Sequence, residues 1–310
     1  MKQSTYHKIL ITGATGLIGK ALSEYLLANN IAVNFLTTDK SKIVTSHNFR
    51  GFYWNPAEGN MDIEALNGVD AIINLAGAPI DQKWTDRAKQ DIFNSRISSV
   101  QTLYENLRKL EHGVRHIVNA SAIGYYPSST DLYYDETFEL DESNGFLQSV
   151  VANWEASTLD FEDMDVIVTR IRIGLVLSSK GGVLKKLSSL ARWGVLSPIG
   201  NGDQWQSWIH IDDLVRLFHF ILEQSLQGIV NGVGPMPISN RVFVKAIVKS
   251  LGRRILLPAV PAFVVKAVFG EMANIVLEGP KVCPKVALDN GFIFEHQTIE
   301  SGLNQLVGSK

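Results

Sequence analysis

The sequence predicts an α/β protein, a doubly wound parallel sheet with a smaller, partly interleaved C-terminal domain. Three observations carry this. Apolar β-branched runs alternate with helical periods through the first half. A glycine triplet, Gly13, Gly16 and Gly19, follows the first such run. After Arg172 the rhythm loosens, and glycines and tryptophans crowd Gly181 to Trp208. Strands separated by helices imply right-handed crossovers and parallel pairing.

The opening unit is Ile9-Leu-Ile-Thr-Gly-Ala-Thr-Gly-Leu-Ile-Gly19, then an amphipathic stretch from Leu17 to Ala28. This reads as strand, phosphate loop and helix. The first glycine permits a tight turn. The second lets backbone N–H groups approach a pyrophosphate, and the third lets the helix pack on the strand with its positive end toward the anion. Gly13, Thr15, Gly16, Leu17 and Ile18 are therefore the expected phosphate-binding residues. Ala32 to Leu36 reads as the second strand and Phe52 to Trp54 as a short third one. Ala71 to Leu75 reads as a buried strand ending in Ala76-Gly77. Phe93, Ile97, Val100, Leu103 and Leu107 step by three or four, so a long helix is expected from Thr85 to Leu110. His116 to Ala120 is the next strand, followed by an acidic loop from Pro127 to Ser143 and a helix from Phe146 to Phe161. Val166 to Ile171 is a further strand. Asp212 to Gln224 is a helix that Asp212 or Asp213 could cap. Ile229 to Asn231 closes back as a strand, and the remainder should be helices with a last strand around Phe292 to Phe294.

Composition limits the partners. Of 310 residues, 45% are hydrophobic and 19% charged, ordinary values for a soluble globular protein. A formal net charge of −2 gives no basis for a nucleic acid or anionic membrane partner. The single cysteine, Cys283, excludes an intrachain disulfide and fits a reducing, cytoplasmic setting. No signal-peptide apolar region with a cleavage site precedes the first strand. His7, His47, His112, His116, His219 and His296 show no ligand spacing with Cys283 or with one another, so no metal is expected. Gly-x-Ser-x-Gly is absent, which argues against an α/β-hydrolase. Ile255 to Leu277 is the most apolar later stretch, but Pro258, Pro261, Lys266 and Glu271 interrupt it. It reads as a strand end followed by a helix packed on the core, with a membrane-surface role as the alternative.

The nucleotide's 2′ substituent should be read just after the second strand. An acidic residue there bonds both ribose hydroxyls and selects NAD, whereas a basic one pairs with a 2′-phosphate. The segment is Thr37-Thr-Asp-Lys-Ser-Lys42, with Asp39 one position late for the NAD role. Lys40 and Lys42, with the hydroxyls of Thr37, Thr38 and Ser41, suit a phosphate. NADP is the expected cofactor and NAD the alternative.

Several segments together resemble the extended short-chain dehydrogenases/reductases. Thr12-Gly-Ala-Thr-Gly-Leu-Ile-Gly19 looks like their glycine loop, and Asn74-Leu-Ala-Gly77 like the motif after their fourth strand. Ala120-Ser-Ala-Ile-Gly-Tyr-Tyr126 resembles their active-site strand end, Arg172-Ile-Gly174 the segment after the sixth strand, and Trp208-Ile-His-Ile-Asp-Asp-Leu214 their late helix entry. A nearer resemblance is to the SDR39U1-like epimerase-family subgroup, with its DUF1731-like C-terminal segment. It is carried by Lys83-Trp84-Thr85, Ser95-Arg96, Gly124-Tyr-Tyr126, Gly200-x-Gly-x-Gln-Trp205, Trp208-Ile-His210 and Leu277-Glu-Gly279, and spans nearly the whole chain. The resemblance implies a Rossmann fold binding NAD(P)(H), with Leu75, Ala76, Gly77, Ala120 and Ile173 joining the glycine loop around the cofactor. It implies no particular reaction, because kinship with sugar-nucleotide epimerases and dehydratases concerns the fold.

One departure matters. These enzymes normally place Tyr and Lys one helical turn apart, so that lysine lowers the tyrosine pKa and holds the ribose. The chain has eight tyrosines, and none has lysine four residues on. Counting back from Trp154-Glu155, the pair would fall at Leu147 and Val151, both apolar. Ser121 is left as substrate orienter and Tyr125 as a displaced proton donor. For Tyr125 and Tyr126 the competing reading is an aromatic lid.

The expected substrate pocket comprises Tyr126, Gln204, Trp208 and His210. His210 also reads as a helix-entry histidine bonded to backbone. Trp193, Trp205 and Trp208 are either a flat apolar surface for a ring or core. Glu155 and Arg96 read as solvated or paired surface residues. The layout expected is a nucleotide-binding domain over 1–172, with 205–234 returning to it, and a substrate-covering domain from 173–204 and 235–310. The functional expectation is an NADP(H)-binding oxidoreductase or nucleotide-sugar-epimerase-like enzyme acting on a small molecule, with a homodimer left open. The alternative is a catalytically weak or inactive NAD(P)-binding sensor or scaffold.

Overall fold

The computed structural model describes residues 4–142 and 145–307. Ser143, the expected end of the acidic loop, lies outside the described residues, as do the first and last three residues of the chain. The fold is an α/β Rossmann-like sheet with helices on both faces. Its first half runs β1 (Lys8–Thr12), α1 (Leu17–Ala28), β2 (Ala32–Thr37), β3 (Phe49–Asn55), β4 (Asn60–Met61), β5 (Ala71–Asn74), α2 (Asp86–Leu107), β6 (His116–Ala122) and β7 (Tyr133–Tyr134). It continues through α3 (Phe146–Ala156), β8 (Ile167–Ile173), β9 (Leu175–Leu177), α4 (Gly182–Arg192), β10 (Trp205–Gln206), β11 (Trp208–His210), α5 (Ile211–Glu223) and β12 (Gly228–Gly232). The last part is β13 (Ile238–Ser239), α6 (Asn240–Ser250), α7 (Ala262–Phe269), α8 (Asn274–Leu277), β14 (Lys281–Val282), α9 (Lys285–Asp289) and α10 (Ile299–Val307).

The main sheet has the order β12-β8-β6-β5-β1-β2-β3-β4, parallel throughout except for β3 with β4. Both faces of its central strands are covered, which is why Ile9 to Ile11 and Ala71 to Ile73 are apolar without alternation. One face packs on α1 and α5 through Leu22, Leu26, Leu214 and Phe218. The other packs on α2 and α3 through Val100, Leu103 and Trp154. A further core joins β9, α4, β11, α6 and α10 around Trp208, Phe243 and Leu303. Strand order reverses between β1 and β5. A crevice therefore opens at their carboxyl ends, where such sheets take ligands.

Local chemistry moves several boundaries. Thr85 accepts the Ala88 N–H at 3.2 Å and caps α2, so that helix starts at Asp86 and not at Thr85. The expected helix from Phe146 to Phe161 stops at Ala156 and gives way to a 3₁₀ turn, Leu159–Met164. The cap of α5 is His210 Nδ1, which accepts the Asp212 N–H at 3.1 Å; neither aspartate caps it. Phe292 to Phe294 is not a strand. Asp213, fully buried, accepts the Glu295 and His296 N–H groups at 2.8 and 2.9 Å, and Arg216 donates to the Ile293 carbonyl. Side chains of α5 thus satisfy this backbone, while Phe292 and Phe294 pack into the core.

The apolar stretch from Ile255 is also corrected. Only Val265 of α7 is buried, and Phe263 and Val268 are 73% and 69% exposed, so this helix does not pack on the core. Among the described residues no helix is long and apolar enough to cross a membrane.

Candidate functional site

The crevice is built from glycine geometry. Gly13 has φ +68°, in the left-handed region, and a Cβ there would sit 2.8 Å from the Leu75 carbonyl oxygen. The Gly16 N–H donates to the Gly13 carbonyl at 3.0 Å and closes the turn. A Cβ on Gly19 would overlap the same carbonyl, so α1 can lie against β1 only with glycine there. No side chain caps α1. Its first N–H groups and its positive end therefore face the crevice, the arrangement that holds a phosphate. Gly13, Gly16, Leu17, Ile18, Leu75 and Val183 line a cleft of about 330 Å³, closed on one side by the start of α4.

The turn after β5 is held beside this loop. Thr12 Oγ1 donates to Asn74 Oδ1 at 2.6 Å and accepts the Leu75 and Ala76 N–H groups, each at 3.0 Å. Asn74 bonds Asn119 of β6 at 2.6 Å, tying β1, β5 and β6 together at the crevice floor. Ser95 Oγ accepts the Ala78 N–H at 2.9 Å. Arg96 donates to the Ala78 and Ile92 carbonyls at 3.3 and 2.8 Å and lies over the Trp154 ring at 5.1 Å. Its guanidinium carbon would be 3.2 Å from a Cβ on Gly77. Arg96 is thus a half-buried residue beneath the turn, not a solvated one, and burial lowers its pKa to about 10. It has no acidic partner among the described residues.

At the end of β2, Thr37 is buried and accepts the Asp39 N–H at 3.1 Å. The Asp39 carboxylate accepts the Ser41 N–H and hydroxyl at 3.0 and 2.6 Å and pairs with Lys42 at 3.5 Å. These bonds hold its pKa below the ordinary value. Asp39 is thereby committed to its own turn. Thr38 and Lys40 are exposed, and the Lys40 ammonium rests over the Tyr53 ring at 4.7 Å.

Where β6 and β8 end lies a buried polar network. Ser121 donates to Glu155 Oε1 at 2.5 Å, and Arg172 grips both Glu155 oxygens at 2.8 Å each. Arg172 also donates to the Tyr126 hydroxyl at 3.0 Å, and that hydroxyl donates to Asn231 Oδ1 at 2.8 Å. Glu155 is not a surface residue: the Glu155 and Arg172 side chains are only 10% and 3% exposed. Burial alone would lower the Arg172 pKa, but the Glu155 carboxylate outweighs it and the guanidinium stays charged. Burial pushes the Tyr126 hydroxyl up to about 12, against the pull of Arg172. Tyr125 is half-buried, with the Arg172 guanidinium 3.5 Å from its ring centre. Its hydroxyl accepts the Leu140 N–H at 3.2 Å. Ala120 is buried in β6 beside this network, and Ile173 lies at the end of β8. Leu147 and Val151 face Gly124, each with an atom 3.9 Å from where a Cβ would stand. That surface carries an apolar contact in place of an acid–base pair.

The residues expected to line a substrate pocket are not brought together as one. Trp208 is fully buried in the core, with its indole N–H on the Met236 carbonyl at 3.0 Å. His210 is 1% exposed and serves as a helix cap; burial first, and then the adjacent His296, lower its pKa to about 4. Gln204 is buried and donates to the Ile199 and Val276 carbonyls, tying two loops. Tyr126 belongs to the buried network. Sequence spacing also missed that His296 meets His210 and Asp212. The two ring centres lie 3.8 Å apart, with their planes tilted by 34°.

A model described as the NAD dependent epimerase/dehydratase family matches residues 9–233. The chain belongs to that family. A domain of unknown function, DUF1731, matches residues 260–306 of this epimerase-family chain. It is 35% identical over 305 residues to the chloroplastic "Epimerase family protein SDR39U1 homolog" of Arabidopsis thaliana, covering 96% of this chain and 86% of the relative. It is also 35% identical over 299 residues to an epimerase family protein of Mycobacterium leprae, covering 96% and 94%. Among solved structures, human epimerase family protein SDR39U1 with NADPH superposes with a TM-score of 0.84 at 28% identity, covering 98% of this chain and all of that one.

Within this epimerase-family chain, sequence reading missed the burial of Glu155 and Arg96. A signal for Glu155 was present. Arg172 lies between two isoleucines in the strand Ile167–Ile173, and a charge in a covered strand needs a buried counter-charge.

Proposed function

We propose that the chain binds NADP(H) and exchanges a hydride with a small organic substrate at the carboxyl ends of β1, β5 and β6. The observation that carries the reading is the glycine loop at the uncapped start of α1, so tightly folded that a Cβ on Gly13 or Gly19 would collide with the Leu75 or Gly13 carbonyl. The turn after β2 favours the 2′-phosphate form. Asp39 spends its oxygens on Ser41 and Lys42, while Thr38 and Lys40 are exposed, with Lys40 over the Tyr53 ring. The 28% identical human relative solved with NADPH supports the same choice.

When bound, the dihydronicotinamide supplies the hydride. The chain's own part is binding, orientation and one proton. Gly13, Thr15, Gly16, Leu17 and Ile18 hold the pyrophosphate; Leu75, Ala76, Gly77, Ala120 and Ile173 border the cofactor. Tyr125 is the proton donor. Its hydroxyl accepts the Leu140 N–H, and the Arg172 guanidinium lies 3.5 Å from its ring centre. Ser121 is a positioning residue, since its hydroxyl is committed to Glu155. Arg96, a cation without an acidic partner beneath Gly77, takes the place of the missing lysine in holding the ribose.

Titration calorimetry of nucleotide-stripped protein with NADPH and NADH tests the cofactor. Tighter NADPH binding that Lys40→Glu/Lys42→Glu weakens by about tenfold or more supports the reading. Equal affinities, or binding of neither, overturn it. A second reading, a nucleotide-binding sensor with little turnover, is favoured by the apolar Leu147 and Val151 contact. The two part on whether any carbonyl or sugar-nucleotide substrate consumes NADPH, and on whether Tyr125→Phe abolishes that consumption.

A further inference from the structure

The segment leading into α7 carries side chains that a soluble surface rarely shows. A helix apolar on all sides belongs in an interior. Yet α7 buries only Val265, and Phe263, Val264, Val268 and Phe269 spread over most of its circumference. The turn after α4 adds Trp193, 81% exposed. The two features are continuous. A Cβ on Gly194 would lie 3.0 Å from Leu256 Cδ1, Ser197 donates to the Leu257 and Pro258 carbonyls, and Ile199 bridges Val260 just before Pro261 opens α7. Leu256 is itself 73% exposed.

Basic side chains outnumber acidic ones around this patch, and Glu271, which follows α7, is paired with Lys89. Residues 235–270 hold six basic side chains and no acidic one, in a chain whose formal net charge is −2. Residues 173–202, which supply Trp193, hold four basic side chains and again no acid. Arg192 adjoins Trp193, Arg253 and Arg254 precede Ile255, and Lys266 sits within α7. None of these four has an ion-pair partner among the described residues.

We propose that this face docks on the surface of an anionic lipid bilayer, with Trp193, Leu256 and Phe263 entering the acyl boundary and the flanking arginines and Lys266 meeting lipid headgroups. The charge is complementary to anionic lipid. Long basic side chains can snorkel beside apolar ones at such a boundary. A protein groove would ask for one apolar stripe with a polar back. Here exposed apolar groups cover most of the helix, with Lys266 among them, which suits a fluid partner of no fixed shape. A second copy fits less well, because a two-fold contact through this face would set like charges against each other.

Flotation of the full chain with vesicles of phosphatidylcholine, with and without about 30% phosphatidylglycerol, tests this. The expected result is binding to the anionic vesicles only, weakened by about 0.5 M salt. Trp193→Ser/Phe263→Ser and Arg253→Glu/Arg254→Glu should each weaken it by about tenfold or more while NADPH affinity stays unchanged. These side chains are exposed, so unchanged NADPH affinity also serves as the folding control. Absence of binding to anionic vesicles overturns the proposal, as does equal binding by both variants. So does concentration-dependent self-association in sedimentation velocity that Trp193→Ser/Phe263→Ser abolishes, which would assign the face to a second copy. Retained binding to an acidic peptide with none to vesicles would likewise assign it to a protein partner.

Discussion

Glu155→Gln isolates the buried charge pair at the candidate site. The substitution keeps side-chain size and removes the counter-charge of Arg172, whose side chain is 3% exposed. Glu155 accepts three short bonds, from Ser121 Oγ at 2.5 Å and from Arg172 Nε and an Nη, both at 2.8 Å. Glutamine can still accept at one oxygen, but its amide nitrogen then faces a donor. Breaking one side of a buried pair costs about 3–5 kcal/mol, so an expected loss of about 3 kcal/mol allows for the bond that glutamine retains. Glu155→Leu/Arg172→Met removes both charges. It should cost less than either single change, because no charge is left stranded. Urea unfolding followed by tryptophan fluorescence measures all of these, with Trp154 adjacent in sequence to the substituted position. A loss under about 1 kcal/mol for Glu155→Gln would refute the reasoning, as would a double variant whose cost is the sum of the singles.

Other outcomes follow from the same geometry. Gly13→Ala places a side chain at φ +68° and against the Leu75 carbonyl; NADPH affinity in calorimetry should fall by about tenfold or more, with circular dichroism unchanged. Arg96→Met should weaken NADPH several-fold, about 1 kcal/mol, and an unchanged dissociation constant would remove Arg96 from the ribose-holding role. His116 is fully buried and neutral, with its pKa lowered to about 4 by desolvation. The unfolded chain takes up that proton below about pH 6.5, so stability holds above that value and falls as pH drops toward 4, by about 2 kcal/mol at pH 5. Urea unfolding at pH 7 and 5 checks this, and His116→Gln should flatten the slope by one proton.

Much of the fold was legible because its signals are local. The glycine spacing after β1, the apolar runs of β5 and β6, and the three-four period of α2 each lie within one segment. The absence of a tyrosine–lysine pair was legible by simple inspection. Long-range accounting was not. Phe292 and Phe294 alternate as a strand would, yet Asp213 satisfies the backbone beyond them from another element. Asp212 looked like a cap, but His210 reached its N–H first. Trp208 and His210 looked like pocket residues because aromatic and imidazole groups serve cores and sites alike; only burial separates the two uses.

The sequence by itself determined the sheet, the glycine loop and the family of this chain, since turn conformation and periodicity depend on neighbours a few residues apart. Tertiary structure alone decided which charges are buried and which apolar groups are not. Glu155 and Arg172 meet because α3 packs on β6, which pairs with β8 and sets Ser121 opposite Arg172. Phe263 stays in solvent because α7 finds nothing to cover it. Burial is a property of the three-dimensional neighbourhood, and residues 17 apart in the chain reveal it only once they touch.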